Sequence, residues 1–539
     1  MKKTVWVIFF FISLLFGGIS EKYELYRKFL ENRSIELAKK LIEDYPTAPF
    51  RNEVILFLLQ KVYKTDKEEA LRLIRKLDIS NIPYSQVKNL FEIYKYLGLN
   101  PKTLIINYPE IFIEYLDKFK FSQDEREKIA KRLFKNKKYK YVLKLSKDCH
   151  LIGVSLYRLK EYGKSEKVLL HCQEDKAKQF LIYAYLKLNK YSQAEKFVEK
   201  ENNPYLFYIL GRELLERGFI SKGIEVLEKS TYSESNFYLG IAYFALKDYK
   251  KAREYLKAYS PENDTDKAKR LFWLFKTELN LGNRDIALRY LRETSRYDNF
   301  YGAVAKLFLG LKVYKPITLV DVHSPNLYFE LKKIYDLGFL NYMRYEAFKN
   351  KEKITTGDIL LLQDIDPYTS IRLSVNKYGV SSDIYRYVSH PTPFEEIVNR
   401  VSKRFKVPKA LIYAVMRQES LFDIYAVSAS GAKGLMQLMD FTAKWKAKRL
   451  GIKLDNIFEP YTNILLGTAY LAFLYDYWNG DMVRVIASYN AGQSAVSQWK
   501  RYDDDFLFIE LIPYSETKNY TKKVLYNYYI YSEKLEKLF

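Results

Sequence analysis

Small residues recur at a fixed interval through the middle of this chain. Ser165, Ala194, Gly223 and Ala252 follow one another in steps of 29 residues, Ala287 comes 35 later, and Gly153, Gly211 and Gly240 keep the same phase. The stretches between them are self-similar: Val154–Tyr162, Ala184–Tyr191 and Ala242–Tyr249 each run from small and aromatic residues through Leu and Lys to a Tyr. Each unit reads as helix, short turn, helix, with the small residue where two helices approach closely. A unit of this size cannot bury its apolar face alone, so neighbours must stack into an α-solenoid. This regularity points to a mainly all-α fold, with the repeat expected over residues 21–305.

The repeat loosely resembles the tetratricopeptide class. Its period breaks after about residue 305, where Pro316, Pro325 and Pro367 interrupt the pattern while Leu327–Phe348 still looks like a helical pair. A helical linker domain is expected over 306–390. His390-Pro-Thr-Pro393 then makes a stiff entry into a last domain, 391–539. At the other end, Lys2-Lys3 precede the apolar run Val5–Phe16 and the small residues before Ser20. This pattern predicts an export signal over 1–20, cut after Ser20 and leaving a soluble periplasmic chain without a transmembrane segment. An uncleaved anchor is the alternative.

The formal net charge is +24, but the excess lies outside 391–539, where 20 Lys and Arg face 16 Asp and Glu. Lys and Glu interleave throughout and form no dense basic run, so solvated faces explain the charge and no nucleic-acid partner is expected. The four His are at 150, 171, 323 and 390. With none in 391–539, a His-activated nucleophile is excluded there. Cys149-His150 and His171-Cys172 lack zinc spacing, so no metal and no cofactor is expected. For Cys149 and Cys172 the sequence leaves a disulfide and a pair of buried thiols equally open.

The chemistry points to Val407–Met439. Pro408 suits the first position of a helix. Leu411, Ile412, Val415 and Met416 recur at helical spacing, and Glu419 continues their stripe. A carboxyl on a buried face has its charged form disfavoured and can hold a proton near neutral pH, as a general acid for glycosidic cleavage must. On this pattern alone, a helix-terminal Glu in water remains open. Gly431 and Gly434 follow in a loop of small residues that permits tight turns or close ligand approach.

Arg417-Gln-Glu-Ser420, with Ser428 and Gly431–Met439, resembles the active-site motif of the Slt-type soluble lytic murein transglycosylases. Asn463–Leu471, Ala487–Gly492 and Glu510–Thr517 resemble three further motifs of that family, in the same order over about 110 residues. The resemblance is strong over about 394–539. It implies a lysozyme-like α+β, mostly helical, catalytic domain behind a superhelical region, and peptidoglycan glycan strands as substrate. It also implies that Glu419 protonates the glycosidic oxygen between N-acetylmuramic acid and N-acetylglucosamine. Glu419 then deprotonates the C6 hydroxyl, which closes on C1 to give a 1,6-anhydro end. Because the attacking hydroxyl belongs to the substrate, a second carboxyl is not required.

Ser428, Gln437 and Met439 match family positions lining the saccharide subsites. Tyr489 and Asn490 match the pair facing the catalytic Glu, with the Tyr489 hydroxyl able to orient the carboxyl or the N-acetyl group. Glu516 matches an acidic residue across the groove with a substrate-binding role. Asp440 and Gln493 stand where the family usually has Pro, which bears on loop shape. The repeat is expected to position glycan, and to offer a surface to other cell-wall enzymes, without taking part in the chemistry. Two other readings stay open: a hydrolase of the same fold, as in goose-type lysozymes, and a non-catalytic glycan- or protein-binding scaffold.

Overall fold

The computed structural model describes residues 18–319 and 322–536. Most of the expected export signal lies outside the described residues. Ser20, at the expected cut, is buried and donates from its hydroxyl to Glu330 at 2.6 Å. Among the described residues no helix is long and apolar enough to cross a membrane. The chain forms two compact units that cut across the four sequence segments. Those segments stay a proposal about organisation.

The first unit takes in the described residues of Met1–Ala184, Val320–Ile365 and Arg372–Lys377. The repeat is visible in its helices Cys149–Arg158 and Tyr162–Leu169. Ser165 donates its hydroxyl to the Gly153 carbonyl at 2.8 Å, and a Cβ added at Gly153 would sit 2.3 Å from the Leu169 side chain. Cys149 and Cys172 are paired as a disulfide, with Cα atoms 5.9 Å apart. The helical pair foreseen near Leu327–Phe348 is Tyr328–Asp336 and Leu340–Lys349.

The second unit comprises the described residues of Tyr185–Leu319, Asp366–Ile371 and Tyr378–Phe539. Its repeat helices are α1 (Pro204–Glu216), α2 (Ser233–Ala245), α3 (Asp264–Asn280) and α4 (Phe300–Phe308), the first three each followed by a shorter antiparallel partner. The period has the physical cause expected. A Cβ added at Gly211 would sit 2.5 Å from the Leu227 side chain, and one at Gly240 would sit 2.6 Å from Leu256. The last part of the unit contains α5 (Lys409–Ser420), α6 (Asp440–Leu450), α7 (Pro460–Tyr477), α8 (Met482–Ala491), α9 (Asp505–Glu510) and α10 (Ser515–Glu536).

Two local details differ from expectation. Pro408 is the N-cap of α5, with ψ 132°, and not its first helical residue. An extended residue there aims the chain into the helix, and Lys409 takes the first helical place. The expected β component of the last domain reduces, among the described residues, to isolated bridges Val427–Lys433 and Lys433–Leu438. Gly431 and Gly434, both with positive φ, turn the intervening chain too tightly for a longer ladder.

Helix α5 is buried over Ala410–Met416 and packs along α10. The entry segment is clamped to α10 as well. Lys534 donates to the His390 carbonyl at 2.6 Å, Tyr531 to the Pro391 carbonyl at 2.8 Å, and the His390 ring meets Asn527 at 3.2 Å. Burial, and then the neighbouring Arg417 charge, push the His390 pKa well down, so the ring stays neutral.

Candidate active site

The four sequence motifs meet in one place, and specific bonds hold them there. The loop after α5 starts with Leu421 and Phe422 in left-handed backbone, at φ 50° and 68°. Ser420 secures this turn, donating to carbonyls of Met416 and Leu435. The loop then runs under α7. Asn463 accepts from the Met436 amide at 2.8 Å and donates to the Lys433 and Ile457 carbonyls. A Cβ at Gly434 would lie 2.3 Å from the Asn463 amide nitrogen, and one at Gly467 would lie 2.4 Å from the Met436 sulfur. The first and second motifs are therefore complementary surfaces. From the third, Tyr489 donates to the Met436 carbonyl at 2.9 Å. Asn490 accepts from Thr517 of the fourth at 2.6 Å.

Glu419 lies in the last turn of α5. Tyr520 of α10 donates to its Oε1 at 2.7 Å, and among the described residues Glu419 has no ion pair. Arg417, two residues earlier, points elsewhere, to Ser389, Asn527 and Tyr385. Burial pushes the Glu419 carboxyl up to about 7, the Tyr520 bond works against this, and the Glu516 charge adds to it. The phenols of Tyr520 and Tyr489 are themselves held far above their ordinary value by burial and then by Glu419, so both remain neutral.

The other expected site residues divide. Glu516 is exposed in the first turn of α10 and acts on Glu419 through its charge. Met439 is exposed as N-cap of α6. The Ser428 hydroxyl accepts from the amides of Ser430 and Ala432. The Gln437 amide nitrogen donates to the carbonyls of Ala426 and Gly434. Both side chains thus shape the loop. The Tyr489 hydroxyl is spent on Met436, and the phenol on the carboxyl is Tyr520. Sequence reasoning missed Tyr520, although it stands one helical turn after Glu516 and so shares its face. Among the described residues no group of three or more His, Cys, Asp or Glu is placed to hold a metal ion.

Residues 396–512 match the family model described as Transglycosylase SLT domain. An uncharacterised protein of Aquifex aeolicus is 52% identical over 153 residues, which are 28% of this chain and 85% of that protein. Residues 396–512 are thus a domain of the Slt transglycosylase family. A soluble lytic murein transglycosylase of Escherichia coli is 34% identical over 143 residues, 25% of this chain. That match spans only 22% of the E. coli enzyme's own length. The likeness in fold reaches much further. An inactive glutamate-to-glutamine mutant of the lytic transglycosylase Slt from Pseudomonas aeruginosa superposes with a TM-score of 0.59 at 18% identity. The superposition covers 96% of this chain and 92% of that one. The Slt-type architecture of helical superhelix and lysozyme-like domain is therefore that of this chain, with the site on the lysozyme-like part.

Proposed function

We propose that the chain cleaves the β-1,4 bond between N-acetylmuramic acid and N-acetylglucosamine in peptidoglycan and leaves a 1,6-anhydro end. One observation carries this: Glu419 is a carboxyl with no cation partner among the described residues, held near neutral pKa by burial and aligned by a neutral phenol. A group with that pKa is protonated often enough to give its proton to the glycosidic oxygen and basic enough to take one back from the C6 hydroxyl. The Slt relative that is inactive as a glutamate-to-glutamine mutant supports an essential Glu in this family.

In this reading Met439, Tyr489, Asn490 and Glu516 border the saccharide. Ser428 and Gln437 act on it through the loop they brace. Export to the periplasm, by the signal at residues 1–20, follows from the location of the substrate, and the repeat offers a surface for glycan or other cell-wall enzymes. Digesting purified sacculi tests the reaction. Products one water lighter than hydrolysis products are expected, because no water is consumed. Reducing, hydrated ends alone would replace this reading by a lysozyme-like hydrolase.

A further inference from the structure

Helix α10 carries two sets of polar residues on opposite faces. Glu516 and Tyr520 are one turn apart and face Glu419. Lys518 and Lys522 are also one turn apart, and at about 100° per residue each lies about 200° round the helix from Tyr520. Both lysines bond to the repeat or to a residue the repeat holds. Lys518 Nζ lies 2.6 Å from Glu216 at the end of α1 and donates to the Tyr238 hydroxyl of α2. Lys522 donates to Glu510 at 2.9 Å and to the Tyr301 hydroxyl of α4 at 2.7 Å. Glu510 in turn accepts from Tyr301 and from Trp273 of α3. The side chains of Glu216, Lys518, Glu510 and Lys522 are 4%, 8%, 3% and 14% exposed. Exposed pairs are slack, whereas a buried pair is costly to misalign. The helix therefore cannot rotate without unpairing a buried charge.

We infer that Glu216 and Tyr301 are positioning residues for Glu419: through Lys518 and Lys522 they fix the rotation of α10 and so aim Tyr520 at the Glu419 carboxyl. This rests on the reading of Glu419 as the acid–base group. It gives the repeat a part in the geometry of the site, beyond any binding of glycan.

The test uses full-length wild type, Tyr520→Phe, Glu216→Gln, Tyr301→Phe and the double variant Glu216→Gln/Tyr520→Phe. For each, kcat/KM on a soluble N-acetylglucosamine–N-acetylmuramic acid oligomer is followed against pH, with the melting temperature alongside. The groups facing Glu419 are Tyr520 and Glu516 from α10 and Tyr489 from α8. Both phenols stay neutral, so the alkaline limb follows Glu419 itself. Losing the Tyr520 hydroxyl removes a bond to the ionised form, and the limb moves up by about one to two pH units. Glu216→Gln and Tyr301→Phe are expected to move it in the same direction, by about half a unit or more on that scale. The double variant is expected to move no further than Tyr520→Phe alone.

Single variants that melt lower but keep the wild-type limb would overturn the inference, and so would shifts that add in the double variant. Tyr301→Phe keeps the ring and loses one hydroxyl, so it serves if Glu216→Gln fails to fold. A ¹³C titration of the Glu419 carboxyl in the same proteins reads the shift without turnover. Failure of the reaction assignment is thereby told apart from failure of this one.

Discussion

Glu419 and Glu510 are carboxylates of the same unit, the first half-buried and the second buried, and their surroundings drive them apart. Burial alone would push Glu510 up, but Lys522 and then Lys269, together with the Tyr301 bond, bring it below its ordinary value. Lys522 is in turn drawn down to about 8, chiefly by burial, and so still carries its charge at neutral pH. The Glu216–Lys518 pair is balanced differently: burial pulls Lys518 down but the Glu216 carboxylate pushes it above its ordinary value, while burial holds Glu216 itself above its ordinary value against the Lys518 and Arg212 charges. Glu419 is half-buried, has no lysine partner among the described residues, and rises to about 7. Burial by itself therefore says little about what a carboxyl does. Glu510, held low by its lysines, is a fixed anion that joins helices, whereas Glu419, without one, is left to trade a proton.

The widest break in this comparison comes from removing the unpaired acid. Glu419→Gln keeps the shape and cannot donate or recover a proton. General acid–base catalysis is worth about a hundredfold to ten-thousandfold, and one group performs both steps here, so turnover should fall by about ten-thousandfold or more. The melting temperature should hold or rise. A folded Glu419→Gln protein with wild-type turnover would take Glu419 out of the mechanism.

Removing a paired carboxylate should do the reverse. Glu216→Ala leaves Lys518 buried with, among the described residues, the Tyr238 hydroxyl as its hydrogen-bond partner. Breaking a buried pair by deleting one partner costs about 3–5 kcal/mol, so the denaturant midpoint should drop steeply. A midpoint within error of wild type would mean that water reaches Lys518, and that the pair does not lock α10.

The two classes of carboxyl were not equally legible. The Glu419 stripe and its motifs are local, and α5 folds as its apolar spacing predicts, with the cap moved by one residue. The solenoid was legible for the same reason: its period is a contact between neighbouring helices, as in Gly211 against Leu227. Glu216 and Lys518 stand 302 residues apart, and no local pattern links them. Tyr520 was hidden differently. Its spacing from Glu516 was readable, but its bond depends on α10 lying along α5, which is a tertiary fact. The disulfide was left open because Cys149, at the start of one helix, and Cys172, just past the end of the next, meet only once those two helices fold back on each other.

Stability against pH sharpens the contrast from another side. The Glu419 carboxyl has a folded pKa of about 7, raised from 4.5. Between those values the folded protein holds a proton that the unfolded chain has lost. Stability therefore falls as pH rises through the window and stays low above it, by up to about 3 kcal/mol. Glu419→Gln has no such proton. Its stability relative to wild type should be level below about pH 4.5, grow to about pH 7, and then flatten. A constant difference across that range would mean that Glu419 titrates as an ordinary surface acid.

The smallest expected effect concerns Glu516, the other carboxylate acting on Glu419. Its charge disfavours ionisation of Glu419 and so helps to hold the pKa up. Glu516→Gln should lower that pKa and move the alkaline limb of kcat/KM toward lower pH, opposite to Tyr520→Phe. Glu516 is exposed, so water and salt screen the interaction and the shift should be only about a few tenths of a unit. Raising the salt to about 0.5 M should move the wild-type limb the same way and leave Glu516→Gln nearly where it was, because only the wild type has that charge to screen. If the limb moves up instead, Glu516 does not act as a through-space charge, and its loss must disturb the first turn of α10 and the Tyr520 bond with it. If it moves down by more than a unit, the two carboxyls share a proton closely enough to titrate as a pair. The contrast between paired and unpaired acids would then have to be drawn around Glu419 and Glu516 together.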